Sequence, residues 1–223
     1  MLGALVAVLL PGRCAVCDRP GDPLCAVCRS AFVRLREPLC ERCGSPGPWP
    51  VRRCAECARR RIAFARARAA VVYDERARRF VREWKEHGRR RLADEAAAVV
   101  AEVVRRPDGM AALTYVPGDP ERAWKRGDVG PRALARALGE LWELPVHDLL
   151  RRTGSQPRQR GLALADRRRN VRGSVAATQA SPRAVCLVDD VYTSGATADA
   201  CASALRKAGA TRVEVVTLAR AVR

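Results

Sequence analysis

No apolar run in this sequence of 223 residues is long enough to cross a membrane. The apolar stretch from Leu2 to Leu10 is well short of the about 20 residues that a spanning helix needs. It also lacks the basic leader of an export signal. We therefore expect a short helix packed on the protein, no transmembrane segment and a cytoplasmic location.

Aromatic side chains are also scarce, at 4% of the residues. Sequence-tolerant binding of single-stranded nucleic acid normally uses aromatic platforms on which bases stack. The main candidates are Trp49, Trp84, Trp124 and Tyr192, and Trp84 is expected in the core rather than on a platform. Any such binding would depend on phosphate contacts and would weaken strongly with salt.

Acidic residues are few relative to basic ones, with 24 Asp and Glu against 42 Lys and Arg and a net charge of +18. Such a charge attracts polyanions without identifying one. One basic cluster, with Asp166 as its single acid, can be an anion surface or a solvated face: Arg151, Arg152, Arg158, Arg160, Arg167, Arg168, Arg169 and Arg172. A second cluster is partly offset by glutamates, and most of it is expected to be a solvated helix face: Arg76, Arg78, Arg79, Arg82, Lys85, Arg89, Arg90 and Arg91.

Cysteine is nearly absent after residue 57, where only Cys186 and Cys201 occur. The other eight cysteines form four successive Cys-x-x-Cys pairs: Cys14 and Cys17, Cys25 and Cys28, Cys40 and Cys43, Cys54 and Cys57. Two such pairs complete the four-thiolate shell of structural zinc, so the spacing predicts two zinc ions. The change in composition predicts a zinc module over residues 1–60 and a separate domain over 68–223.

The cysteine-rich segment has too few large apolar residues for a core of its own, so metal binding would supply most of its folding free energy. Redox-active pairs or disulfides are the alternatives, but neither explains four pairs in tandem. We favour sequential pairing, in which the first two pairs share one ion and the last two share the other. A crossed arrangement stays open.

From Ala69 onward, short β-branched runs alternate with longer stretches of helical period, which predicts an α/β fold with a parallel sheet covered by helices. The predicted strands are Ala69 to Tyr73, Ala112 to Val116, Ala184 to Val188 and Arg212 to Leu218. The predicted helices cover residues 75 to 87, 90 to 105, 130 to 142 and 196 to 208.

The strand from Ala184 to Val188 leads directly into Asp189, Asp190 and a turn of small residues. A strand, loop and helix in this order form a phosphate site, because turn amides and the helix amino terminus converge on the anion. The carboxylates can hold a ribose diol and help to place a magnesium ion bound mainly by a diphosphate. Asp as an ordinary turn or capping residue is the alternative. The loop residues are Thr193, Ser194, Gly195, Ala196 and Thr197.

The chain resembles the ComF family of phosphoribosyltransferase-like competence proteins over nearly its whole length. The motifs that carry the resemblance are the four cysteine pairs, Asp-Asp-Val-Tyr-Thr-Ser-Gly-Ala-Thr from Asp189, Trp-Lys-Glu-His-Gly from Trp84, Tyr115-Val116-Pro117, and Gln159, Leu162, Arg167 and Asn170. Together they form a specific combination.

The resemblance implies a type I phosphoribosyltransferase-like parallel sheet with helices on both faces, preceded by a double zinc ribbon. It implies that Asp189 and Asp190 contact the ribose of phosphoribosyl diphosphate (PRPP), that residues 193–197 wrap its 5-phosphate, and that the segment after Pro117 approaches its diphosphate and Mg²⁺. The implied role is handling single-stranded DNA in natural competence, with partners among other competence proteins such as a DNA helicase or translocase.

One segment departs from the family pattern. Members usually carry Arg-Gly-Phe-Asn-Gln, whereas this chain has Lys125 and Arg126 followed by Gly-Asp-Val-Gly. Both cations can still meet a diphosphate, but the missing amide side chains leave catalysis open. The alternative function is therefore an active phosphoribosyltransferase of nucleotide salvage or biosynthesis, including an amidophosphoribosyltransferase-like enzyme, with Asp189 and Asp190 as its catalytic pair.

Overall fold

A computed structural model describes residues 12–86, 89, 91–118, 130–153 and 174–222. Within these residues, four parallel strands form one sheet in the order β1-β6-β5-β2, and β3 pairs with β4 in a small antiparallel sheet. The strands are β1 (Arg66–Val72), β2 (Ala112–Tyr115), β3 (Leu150–Arg152), β4 (Val175–Ala177), β5 (Ala184–Tyr192) and β6 (Arg212–Arg220). The helices are α1 (Ala26–Ser30), α2 (Ala55–Ala58), α3 (Glu75–Glu86), α4 (Arg91–Val103), α5 (Pro131–Trp142) and α6 (Ala196–Lys207).

The parallel α/β class is confirmed, and the long helices lie within one or two residues of their predicted bounds. Two differences concern the central strands. β5 continues to Tyr192 and β6 to Arg220, so Asp189 and Asp190 lie within a strand rather than after it. The extension arises because β5 pairs with β6 along its full length, which keeps the backbone of the acidic pair in the ladder. The short strands β3 and β4 were not predicted.

Alternate residues of the central strands point to two separate cores. On β5, Cys186 and Val188 join a core with α3, α4 and α5, whereas Val185 and Leu187 join a core with α6. This alternation follows from the two-residue period of a strand. It explains the continuous apolar sequence of β5, which is buried on both faces.

The two cysteine-rich units pack on opposite faces of the sheet. Phe32 and Cys28 of the first unit lie in the core with α3 and α4, and Arg29 forms a salt bridge of 3.2 Å to Glu95 of α4. Cys57 of the second unit and the segment after it lie in the core with α6. No helix among the described residues combines the length and the apolarity needed to cross a bilayer.

Candidate functional site

Eight thiols form two compact clusters. In each cluster all four sulfur atoms lie within 4.8 Å of one another. A tetrahedral zinc ion with bonds of about 2.3 Å separates its sulfur ligands by about 3.8 Å. The Cys17 and Cys25 sulfurs are 3.8 Å apart and those of Cys40 and Cys57 are 3.7 Å apart, so both clusters fit structural zinc. The grouping is sequential: Cys14, Cys17, Cys25 and Cys28 form the first cluster, and Cys40, Cys43, Cys54 and Cys57 form the second.

The backbone around each cluster favours the thiolate form that zinc requires. Burial acts to raise the pKa of the Cys14 thiol, but backbone N–H donors, those of Cys17 first among them, outweigh it and lower the pKa to about 6. Burial also acts to raise the pKa of the Cys40 thiol, but backbone N–H donors, those of Cys43 and Cys54 first among them, outweigh it and lower the pKa to about 7. One thiol of each cluster, that of Cys14 and that of Cys40, is therefore readily deprotonated to the thiolate that binds zinc.

The acidic pair lies on β5 where this strand runs beside β6. Asp189 pairs with Thr217 of β6, and the Asp189 carboxylate accepts a hydrogen bond of 2.9 Å from the backbone N–H of Asp190. A side chain at Gly130 would lie 4.0 Å from the Asp190 carboxylate. The amino end of α5 therefore borders the pair.

Lys85 is a residue of this site, and in the sequence it belongs to a basic cluster most of which is expected to be a solvated helix face. Its ammonium group, near the end of α3, forms a salt bridge to the Asp190 carboxylate, whose side chain is 6% exposed. The available signal was the position of Lys85 in the Trp-Lys-Glu-His-Gly motif that supports the family resemblance. Because Trp84 is fully buried in the core, the helix face that carries Lys85 is fixed in orientation.

The neighbouring charges shift the titration of this group of residues. Burial, and after it the charge of Asp190, raise the pKa of Asp189 to about 8. Burial acts to lower the pKa of Lys85, but the carboxylates of Asp190 and Asp189 outweigh it and raise the pKa. Near neutral pH the site therefore contains a protonated Asp189 beside a salt bridge between Lys85 and Asp190.

We expect Asp189→Asn to change how stability depends on pH. In the unfolded chain an aspartate has a pKa of about 3.9, so between that value and about 8 the folded protein holds a proton that the unfolded chain has released. Stability from this group is complete below pH 4 and is lost as the pH rises toward 8. Asparagine does not titrate, so the variant does not lose this part of its stability as the pH rises. The melting temperature of the variant relative to the parent should rise by roughly 3 °C or more from about pH 6 to 8.

Thermal melts in zinc-containing buffer measure this difference. Asp108→Asn, at an exposed position, is the control and should keep a constant offset from the parent. A constant offset for Asp189→Asn as well would show that the Asp189 proton is not retained in the folded state.

The loop after β5 leads directly into α6. Gly195 is the amino-terminal cap of α6 and adopts a left-handed backbone, with φ of 71°. A Cβ at this position would overlap the hydroxyl of buried Tyr192, so glycine is required both for its conformation and for its lack of a side chain. Gly195 has no side chain with which to cap this helix end, and the N–H of Ala196 donates a long hydrogen bond of 3.4 Å to the Ser194 hydroxyl. The amino end of α6 thus carries the partial positive charge that favours an anion. Ser194 and Thr197 are partly exposed, and Thr193 is exposed.

The segment that follows the second cluster holds this loop in place. Arg60 donates a hydrogen bond of 2.8 Å to the carbonyl of Ser194. Three residues further along, the N–H of Ala63 donates a hydrogen bond of 2.7 Å to the Asp199 carboxylate in the first turn of α6. The position of the loop therefore depends on the fold of the second cysteine unit.

Arg220 forms a second connection between that unit and the loop. Its guanidinium lies 4.6 Å from the centre of the Tyr192 ring and donates a hydrogen bond of 2.7 Å to the Cys43 carbonyl. It also forms a salt bridge of 2.7 Å with Glu56 of α2. The side chain is 1% exposed. The final residue of β6 thus joins the second thiol cluster to the aromatic ring beneath Gly195.

Other residues singled out in the sequence fall into three groups. Arg152 of β3 donates a hydrogen bond of 3.0 Å to the Pro117 carbonyl, which places β3 beside the end of β2. Trp49 is exposed, whereas Tyr192 is buried and cannot serve as a stacking platform. The segment Leu2 to Leu10, Lys125, Arg126, His87 and most of the basic cluster from Arg151 to Arg172 lie outside the described residues.

Comparison with known proteins agrees with the motifs. Residues 5–58 match the model of a double zinc ribbon domain. DNA utilization protein YhgH of Salmonella typhimurium is 29% identical, with the alignment covering 95% of this chain and 98% of that protein. Competence protein F of Haemophilus influenzae is 27% identical, with 89% of this chain and 90% of that protein covered. The resemblance to the ComF family is confirmed.

Two solved structures are similar to part of this chain. One is the allosteric regulatory enzyme of purine biosynthesis, with 23% identity, a TM-score of 0.37 and 56% of this chain covered. The other is glutamine PRPP amidotransferase from B. subtilis, with 24% identity, a TM-score of 0.36 and 58% of this chain covered. This chain spans about a quarter of the length of each, at 25% and 26%.

Proposed function

We propose that this chain is a PRPP-binding protein of the ComF type that handles single-stranded DNA during natural competence. The observation that carries the proposal is its similarity, over nearly full length, to proteins named for competence and DNA utilization. The net charge of +18 is consistent with a polyanionic partner.

The proposed ligand pocket combines the acidic pair with the amino end of α6. Asp189 and Asp190 would accept hydrogen bonds from ribose hydroxyls, and the amides and hydroxyls of residues 193–197 would surround the 5-phosphate. The amino end of α6 and the left-handed Gly195 support this assignment. Mg²⁺ bound with the ligand would neutralise part of the diphosphate charge.

Calorimetric titration of the zinc-loaded protein with PRPP and Mg²⁺ tests the pocket. We expect Asp189→Asn and Asp190→Asn each to weaken binding at least about tenfold, because each replaces one of the two carboxyl oxygens that would accept hydrogen bonds from ribose hydroxyls with an NH2 group that cannot accept. Asp108→Asn makes the same replacement at an exposed position and should bind as the parent does. Both site variants should still bind a single-stranded oligonucleotide. An absence of heat with PRPP in the parent protein would refute the ligand assignment.

A second candidate is an active phosphoribosyltransferase, which the raised pKa of Asp189 favours. A carboxyl group with a pKa of about 8 can both donate and accept a proton near neutral pH, as general acid–base chemistry requires. Consumption of PRPP in the presence of Mg²⁺ and a nucleobase or an amine, combined with no binding of single-stranded DNA at moderate salt, would select this candidate over the first.

A further inference from the structure

An arginine-lined cavity lies at the opposite end of the sheet from the acidic pair. Its volume is about 920 Å³, and it opens between the second cysteine unit and the first residues of β1 and β6. Six arginines line it: Arg42, Arg52, Arg53, Arg66, Arg68 and Arg212.

The positive charge of this cavity is only partly neutralised. Two acids, Glu41 and Glu214, also line it, and Glu214 is already engaged by Arg212 through a hydrogen bond of 3.1 Å. The side chains of Arg52 and Arg66 are exposed and form no ion pair among the described residues. The guanidinium groups of Arg52 and Arg66 are therefore the ones in this cavity best placed to meet an anion from solvent.

The arginines also crowd one another. Burial, together with the charge of Arg66, lowers the pKa of Arg68, and burial with the charge of Arg53 lowers the pKa of Arg42. Like charges held this close are relieved when an anion with several charges binds between them. Guanidinium groups suit phosphate oxygens in particular, because their fork of donors binds two oxygens at once.

An exposed tryptophan lies close in the sequence to a residue that lines the cavity. Trp49 is 66% exposed and precedes Arg52 by three residues, so their Cα atoms lie within about 11 Å. An aromatic platform beside a cationic groove is the arrangement that binds single-stranded nucleic acid without sequence preference. Free phosphate or polyphosphate would use the arginines but not the tryptophan.

We infer that the arginine-lined cavity, with Trp49 at its side, binds the backbone of single-stranded nucleic acid. The inference rests on the proposed function and locates its DNA-binding site. It also separates this site from the PRPP pocket. Asp189 pairs with Thr217, five residues beyond Arg212 on β6, so the two sites are roughly 16 Å apart along the strand.

Fluorescence anisotropy with labelled oligothymidylate of about 16 nucleotides tests the inference. The double variant Arg52→Ala with Arg66→Ala should bind about tenfold more weakly at moderate salt. Two phosphate contacts fewer should also reduce the slope of log affinity against log salt by about 1.4. Its zinc content and its PRPP titration should match the parent, because neither side chain contacts the thiol clusters or the acidic pair.

Arg105→Ala with Arg106→Ala is the matched control, since it removes the same charge from exposed positions before the opposite edge strand, β2. It should lose less than about twofold. Equal losses in both double variants would overturn the inference, because overall charge would then account for binding. If the parent binds the oligonucleotide and the cavity variant binds equally well, the inference fails while the proposed function stands. If the parent does not bind it at all, the proposed DNA function fails too.

Trp49→Ala distinguishes nucleic acid from other polyphosphates. Loss of one stacking platform should weaken oligonucleotide binding about fivefold or more and leave competition by long-chain polyphosphate unchanged. Trp49→Phe should recover part of the loss. An unchanged oligonucleotide affinity in Trp49→Ala would show that the cavity recognises phosphate alone, which contradicts the inference.

Discussion

Cys54→Ser is expected to weaken PRPP binding at least tenfold, although Cys54 lies in the zinc module and not in the proposed pocket. The second cluster reaches the pocket through two connections, the hydrogen bond from Arg60 to Ser194 and the contact of Arg220 with Tyr192. A hydrogen bond from a charged donor contributes about 1.5–3 kcal/mol, which corresponds to a tenfold or larger change in affinity. Loss of the metal should release the backbone that carries Arg60, and with it the Cys43 carbonyl and the Glu56 carboxylate that hold the Arg220 side chain.

Cys17→Ser provides the matched control in the first cluster. Cys17 and Cys54 are each the most exposed ligand of their clusters, and each variant should reduce the zinc content from two ions per chain to one. Both variants should lower the melting temperature by roughly 10 °C or more, since structural zinc supplies folding free energy comparable to that of a whole domain. The first cluster packs with α3 and α4 and supplies neither of the two connections to the loop, so Cys17→Ser should leave the PRPP affinity of the folded protein unchanged.

Zinc content, melting temperature and PRPP titration of the two variants decide this prediction. If both lose PRPP affinity to the same extent, general destabilisation explains the loss. If neither loses affinity, the connections from the second cluster do not control the loop. Only a loss of PRPP affinity that is confined to Cys54→Ser would show that the second zinc site holds the pocket in place.

Much of this architecture follows from local patterns in the sequence. The cysteine spacing predicts both clusters because the ligands of each pair are three residues apart on one turn. The apolar run of β5 predicts a doubly buried strand, and the small residues after it predict a tight turn into a helix. These signals are local, and their physical basis is contained within a dozen residues.

The connections between the units depend on long-range contacts and could not be predicted. Arg60 and Ser194 are 134 residues apart, and Arg220 and Cys43 are 177 apart. In the sequence, Arg220 is one of 42 basic residues and has no local feature that predicts its burial. The same holds for Lys85. The sequence predicts its helix, but its salt bridge to Asp190 depends on how α3 packs over the sheet.

Replacing Arg220 with methionine is expected to cost about 3 kcal/mol of stability and to weaken PRPP binding as well. Methionine fills much of the same volume but leaves Glu56 without its partner and the Cys43 carbonyl without its donor. Breaking a buried ion pair costs about 3–5 kcal/mol, and the lower end applies because the Glu56 side chain is 32% exposed. Glu56→Gln added to Arg220→Met should restore part of the stability, because it removes the unpaired charge.

Arg212→Met, at the other end of β6, separates the loss of stability from the effect on the pocket. It leaves the buried Glu214 carboxylate without its partner, so it should also lower the melting temperature. It should not change PRPP affinity, because Arg212 contacts neither the acidic pair nor the loop. Chemical denaturation and calorimetry on both variants make the comparison. Equal PRPP affinities in the two would show that Tyr192 keeps the loop in place without Arg220. A loss confined to Arg220→Met would mean that the guanidinium, held by the second cluster, sets the position of the ring against which Gly195 packs.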